Sequence, residues 1–188
     1  RFIPPQKQIM HYLSKHKENL EQPEVFWREQ AKEIDWFTFP PSILSKDEEG
    51  LHRWYAGGKM NTSYLALDYH VNNGRADQLA LIYDSPVTNT KSKYTYAELL
   101  EKVATFAGAL HGLGIEKGDR VVIYMPMIPE AVVAMLACAR LGAVHSVVFG
   151  GFAAHELAIR IDDAQPKAIL TASGGKEINR IIPYMPIV

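Results

Sequence analysis

Two glycine turns carry the residues of this chain best suited to chemistry. The first is Phe149-Gly150-Gly151-Phe152, and the second is Ser173-Gly174-Gly175-Lys176-Glu177-Ile178-Asn179-Arg180. Each follows an apolar run of strand character. Paired glycines let a ligand approach the backbone closely, and the free N–H groups opening a helix after Phe152 favour an anion. Arg180 adds a guanidinium able to make two parallel hydrogen bonds to a phosphate. Together the turns suit a phosphorylated or nucleotide-bearing ligand. Glycine pairs also serve plain chain reversal. Neither turn is a Gly-x-Gly-x-x-Gly or Walker-type loop, so spacing alone selects neither dinucleotide binding nor ATP hydrolysis.

The remaining chemistry-bearing residues are scattered. His11 and His16 stand five apart, off a common helical face, and none of the seven histidines has the spacing of a metal site. Asp162 and Asp163 are adjacent near a helix end and read as solvated. Cys138 lies mid-helix among alanines and reads as packing. No nucleophile–base pair is apparent. Trp54-Tyr55-Ala56-Gly57-Gly58-Lys59 is a third glycine turn and reads as a structural corner.

The elements that must position the two turns come from hydrophobic patterning. Short apolar runs at 79–83, 120–125, 143–148 and 167–172 predict strands. Between them lie helical patterns. Thr95 and Glu98 have capping-box spacing, and Leu99, Leu100, Val103, Phe106, Ala107 and Leu110 follow in a 3-4 rhythm that ends with Gly114 as a left-handed cap. A second helix spans 130–141, apolar nearly all round and closed by Gly142, with Pro129 in its first turn. A third spans about 154–164. Apolar strands alternating with helices predict an α/β fold, a parallel sheet with helices on both faces. Ligands of such sheets bind beyond the carboxyl ends of the strands, where both glycine turns fall. Residues 1–70 lack this rhythm and hold all three tryptophans. Their clearest element is a short helix from Pro23 to Ala31, stopped before Pro40-Pro41. The aromatic residues there are expected to pack against a neighbouring domain.

Composition narrows the function classes. The 188 residues carry 20 Lys+Arg against 21 Asp+Glu, a net charge of −1, with 47% hydrophobic and 22% charged residues. A disordered charged tail is excluded, and nucleic acid is not expected as a partner without surplus positive charge. Apolar stretches break before about 18 residues, so no membrane span is expected. One cysteine permits no internal disulfide and gives no argument for secretion. The chain opens on Arg1 with neither a signal- nor a transit-peptide pattern and stops at Val188 as if inside an element, which suggests a portion of a longer protein.

Several segments in register resemble one family. They are Trp54-Tyr55-Ala56-Gly57-Gly58-Lys59-Met60-Asn61, Leu67-Asp68-Tyr69-His70, Tyr94-Thr95-Tyr96-Ala97-Glu98-Leu99, Gly118-Asp119-Arg120-Val121-Val122-Ile123-Tyr124-Met125-Pro126, Leu141-Gly142-Ala143-Val144-His145 and Val148-Phe149-Gly150-Gly151-Phe152. Over roughly 20–188 the chain resembles the acetyl-/propionyl-CoA synthetases, AMP-forming short-chain acyl-CoA ligases of the adenylating superfamily. The run Ile82-Tyr83-Asp84-Ser85-Pro86-Val87-Thr88 leans toward the propionyl-type branch, like short-chain family member 3.

The resemblance implies a mostly helical N-terminal extension over 1–70 and the start of the large adenylate-forming (ANL) domain over 71–188. It implies a ligase that joins a short-chain carboxylate to CoA using ATP, through an acyl-adenylate, with Mg²⁺. It implies CoA contacts at Phe149, Gly150 and Gly151 and at Glu177, Ile178, Asn179 and Arg180. The family often has Arg where this chain has Glu177, which removes one phosphate partner; Leu65 and Tyr69 also depart from the usual Asn and Arg. The ATP-phosphate loop, the magnesium-orienting acid and the catalytic lysine are not among these 188 residues, so the chain alone is expected to make no acyl-CoA and to contain no catalytic residue or metal ligand. Expected partners are the small-molecule substrates and the remainder of its own ligase domain. The expected compartment is the mitochondrial matrix or cytoplasm. The alternative is a non-catalytic fragment with a structural or interaction role.

Overall fold

The computed structural model describes residues 5–148 and 154–188, with side chains from residue 11 onward. The chain divides into two compact units on either side of the Met60–Asn61 bond.

The first unit opens with α1 (Pro5–Glu21) and α2 (Pro23–Ala31). Pro23 breaks the run, since it cannot donate into the preceding turn, and it then serves as the first residue of α2. Helix α1 is mostly polar and charged, with few apolar residues to mark it. Ion pairs one turn apart join Lys15 to Glu18 (2.9 Å) and Lys17 to Glu21 (3.7 Å) along it. The Trp36 indole N–H donates to the Ala31 carbonyl (2.8 Å) at the end of α2. Strands β1 (Leu44–Lys46) and β2 (His52–Trp54) form a small antiparallel pair. The aromatic residues meet one another: Trp27 stands edge-on to Trp54 at 5.7 Å, and Trp36 lies 5.6 Å from Tyr55. The third glycine turn is the corner expected. Gly57 has φ +78°, and a Cβ at Gly58 would stand 2.9 Å from the Trp36 ring.

The second unit begins with two helical turns, Tyr64–Asp68 and Val71–Arg75. Next come β3 (Leu79–Ser85), β4 (Thr90–Thr95), α3 (Tyr96–Gly112), β5 (Arg120–Tyr124), α4 (Pro129–Leu141), β6 (Val144–Val148), α5 (Ala154–Ala164) and β7 (Ala168–Thr171). Strand β5 is central, paired in parallel with β6 on one side and β7 on the other. Val121, Val122, Ile123 and Tyr124 of β5 are wholly buried. Alternation sends Val121 into a core with Leu99, Val103 and Leu110 of α3 and Ala137 and Cys138 of α4. Val122 and Tyr124 go into a second core with Leu157 of α5. Helices therefore cover both faces. The chain passes from β5 to β6 over one face through α4, then back past β5 to β7 over the other through α5. Reversing direction and face together keeps both crossovers of one hand.

One expected member of that sheet lies elsewhere. The run at 79–83 is part of β3, which pairs antiparallel with β4, and these two strands make their own sheet. The register Ser85↔Thr90 leaves four residues between the strands, enough for a hairpin and far too few for a parallel crossover. The capping box stands as read: Glu98 N–H donates to Thr95 Oγ1 (3.2 Å), and Thr95 N–H donates to the Glu98 carboxylate (2.8 Å). Gly114 (φ +86°) and Gly142 (φ +73°) are left-handed caps. No residue of α4 between Ala131 and Arg140 is exposed. Its C-terminal end is tied down twice. Asn61 donates to the Ala139 and Arg140 carbonyls (2.9 and 3.2 Å), and Arg140 makes a two-bonded ion pair with Asp68 (2.7 and 3.0 Å).

Candidate functional site

The carboxyl ends of β5, β6 and β7 share one rim because the strands are parallel. The chain leaves β7 at Thr171 and, within a few residues, enters a second hairpin. Its strands are β8 (Gly175–Lys176) and β9 (Ile181–Ile182), with Gly175 opposite Ile182 and Lys176 opposite Ile181. The second glycine turn of the sequence is thus a hairpin whose tip is Glu177-Ile178-Asn179-Arg180. Tight packing fixes its base. A Cβ at Gly175 would stand 2.7 Å from Cε2 of Tyr184, and one at Gly174 would stand 3.1 Å from the Ile182 carbonyl oxygen. A Cβ at Gly175 would force the ring to shift, and one at Gly174 would crowd the carbonyl, so glycine suits both positions. The Tyr184 ring, itself buried, sits 5.0 Å from Tyr124 at the end of β5. Burial raises both phenols above their ordinary range. The contacts Tyr124–Tyr184 and Tyr184–Gly175 therefore link the hairpin base to the central strand.

The tip is solvent-facing, and Ile178 is 84% exposed. Glu177 N–H donates to the Arg180 carbonyl (2.8 Å), closing the turn. Across it Arg180 Nε donates to Glu177 Oε2 (2.7 Å), and that bond raises the guanidinium pKa further. Arg180, read from sequence as a two-bonded phosphate ligand, thus has part of its fork engaged by its own chain.

The hairpin adjoins two clefts. One of about 410 Å³ is bounded by Met125, Pro126 and Met127 after β5, Val147 and Val148 at the end of β6, and Gly175, Lys176, Glu177, Ile182 and Tyr184. The other, of about 480 Å³, lies between Val87 and the segment 176–180. Lys176 and Glu177 border both. Phe149, Gly150 and Gly151 lie outside the described residues, but Val148, the residue leading into them, borders the first cleft. Sequence reading passed over Lys176, which sat in the quoted turn without a role. Among the described residues it makes no ion pair, and the signal for it was its position next to Glu177 on a two-residue strand.

No three His, Cys, Asp or Glu side chains gather into a metal-binding group among the described residues. Burial raises the Cys138 thiol, which suits packing and not nucleophilic work. No helix among the described residues is long and apolar enough to cross a membrane.

Comparison with known proteins gives the same register. Residues 12–66 match the acetyl-coenzyme A synthetase N-terminus family, and residues 68–185 match the AMP-binding enzyme family. An uncharacterised protein of Pseudomonas aeruginosa is 58% identical over 179 residues, 95% of this chain and 28% of its own length. The mitochondrial acyl-CoA synthetase short-chain family member 3 of Homo sapiens is 51% identical over 166 residues, 88% of this chain and 24% of its own. The acetoacetyl-CoA synthetase of Streptomyces lividans superposes with a TM-score of 0.81 at 28% identity, over 92% of this chain and 26% of that one. The chain spans about a quarter of the length of these relatives. Helix-covered parallel strands, a rim hairpin and a family match running from residue 68 to residue 185 agree, and the chain belongs to the AMP-binding enzyme family.

Proposed function

We propose that this chain is the N-terminal portion of an AMP-forming short-chain acyl-CoA synthetase, in which it supplies scaffold and the contacts to CoA. Residues 1–70 act as the acetyl-CoA synthetase-type extension, and 71–188 as the first part of the adenylate-forming domain. The overall reaction takes a short-chain carboxylate such as propionate or acetate with ATP to an acyl-adenylate and pyrophosphate. The CoA thiol then displaces AMP. This chain's share is to hold the nucleotide end of CoA at the rim of the sheet. The tip Glu177, Ile178, Asn179 and Arg180 serves in this, together with Phe149, Gly150 and Gly151, which follow β6 in the sequence. Magnesium, expected from the resemblance, finds no ligand set among the described residues, and no step is assigned to it. Partners are the small substrates and the remainder of the ligase domain, and the compartment is the mitochondrial matrix or the cytoplasm.

One observation supports this reading above the others: Lys176 and Glu177 of the hairpin border one cleft with the last residues of β6, beyond the carboxyl ends of the strands. Calorimetric titration of the 188-residue chain tests it. CoA should bind, and pantetheine, which carries the thiol arm without the nucleotide phosphates, should not. Equal affinity for the two, or no binding of CoA, would overturn the proposal.

A further inference from the structure

We propose that Lys176, and not Arg180, is the cation that first meets the phosphates of a ligand in the rim cleft. Arg180 is held in reserve by Glu177. The inference rests on the reading of the hairpin as the CoA site and assigns the charge within it.

Charge and strand alternation carry the argument. The four-residue tip holds one acid and one base, and they satisfy each other: Arg180 Nε donates to Glu177 Oε2 at 2.7 Å. A phosphate arriving at Arg180 meets a guanidinium already bonded to a carboxylate, and the carboxylate repels it. Lys176 is placed differently. Successive residues of a strand point to opposite faces. Lys176 shares its face with Ile181, its cross-strand partner, opposite to Gly175 and Ile182. The adjacent Glu177 carboxylate is bonded to Arg180 and makes no ion pair with the Lys176 ammonium. Ile181 opposite it is 74% exposed and carries no charge. Lys176 makes no ion pair among the described residues, borders both clefts, and sits one residue from the tightly packed Gly175, so its backbone is held while its side chain is free. A flexible ammonium with three donors suits a phosphate approached as a point charge.

The division of labour makes Glu177 an affinity-setting residue. Removing its charge frees the Arg180 fork and adds a second cation to the site. An exposed ion pair is weak, so the exchange is reversible and the gain modest.

Titrating the 188-residue chain with CoA tests this, using four single variants and one double variant at exposed positions. Lys176→Ala should weaken CoA about fivefold or more, and Lys176→Arg should restore it to within about twofold, on the scale of one charge-assisted phosphate contact. Arg180→Ala should weaken CoA about twofold in the wild-type background, clearly less than Lys176→Ala. Glu177→Gln should tighten CoA about threefold, and Arg180→Ala should cost about that factor in the Glu177→Gln background. If CoA binds at the hairpin but Lys176→Ala is silent and Arg180→Ala carries the loss, the assignment of charge is wrong while the site stands. If CoA fails to bind the unmodified chain, the site reading and this inference fall together.

Discussion

Replacing Gly175 with alanine should loosen the hairpin from the sheet. An added Cβ would lie 2.7 Å from Cε2 of Tyr184, against an ordinary contact of 3.4 Å or more, so the ring must retreat by about 0.7 Å. It has little room, because Tyr184 is buried with its ring centroid 5.0 Å from that of Tyr124, which is itself fully buried in the central strand. Overpacking of this kind costs about 1–3 kcal/mol. At this chain length that is a fall in melting temperature of about 2–12 °C. Gly108, in the middle of α3, is the control: nothing lies within 4 Å of an added Cβ, so Gly108→Ala should stabilise by about 0.5–1 kcal/mol. Urea unfolding of the two single variants gives both numbers. A Tyr184→Leu background withdraws the obstructing ring atoms, and there Gly175→Ala should cost less than about 0.5 kcal/mol. An equal cost of Gly175→Ala in both backgrounds would refute the account of what holds the hairpin.

Asn61→Ala removes two bonds to the last carbonyls of α4 and one from the Tyr64 N–H, and it should cost about 1–2 kcal/mol by the same urea measurement. Asp119 has its pKa lowered, first by the hydrogen bond from Lys167 and then by the Glu116 N–H. A depressed carboxylate contributes stability above its unfolded pKa, near 3.8, and loses it as pH falls through the folded value. Asp119→Asn should therefore be less stable than wild type at pH 7, and the gap should close below pH 4 in acid titrations of both. The purified 188-residue chain should release no AMP in the presence of propionate, ATP and CoA, checked by chromatography of the nucleotides.

The α/β architecture could be read from the sequence because its central strand is apolar on both faces, α3 carries a 3-4 stripe with a capping box, and α4 is an apolar run opened by Pro129 and closed by Gly142. Val121 to Tyr124 is buried on either side and reads as a continuous apolar run; Thr95 and Glu98 announce the start of α3 by chemistry that needs no tertiary partner. Strand β4 escaped because Thr90, Lys91, Ser92 and Lys93 face mostly water, so no apolar alternation marks them, and without β4 its partner β3 passed for a member of the parallel sheet. Helix α1 escaped for a related reason, being mostly polar and charged, so that its few apolar residues stand out little. At the candidate site, the glycines of the second turn were visible as glycines. What they admit, the Tyr184 ring at Gly175 and the Ile182 carbonyl at Gly174, involves residues several positions away and follows only from the hairpin. The fate of Arg180 was equally local and equally hidden: whether Glu177 reaches it depends on a turn that brings residues three apart face to face.

The central claim is that the rim hairpin holds the nucleotide end of CoA, and amide chemical shifts of the 188-residue chain during a CoA titration test it most directly. The account predicts saturable shifts at 175–182 and at Val147 and Val148, with Asp119 and Lys167 at the opposite ends of the strands unmoved. Shifts confined to those opposite ends, with the hairpin silent at saturation, would contradict it.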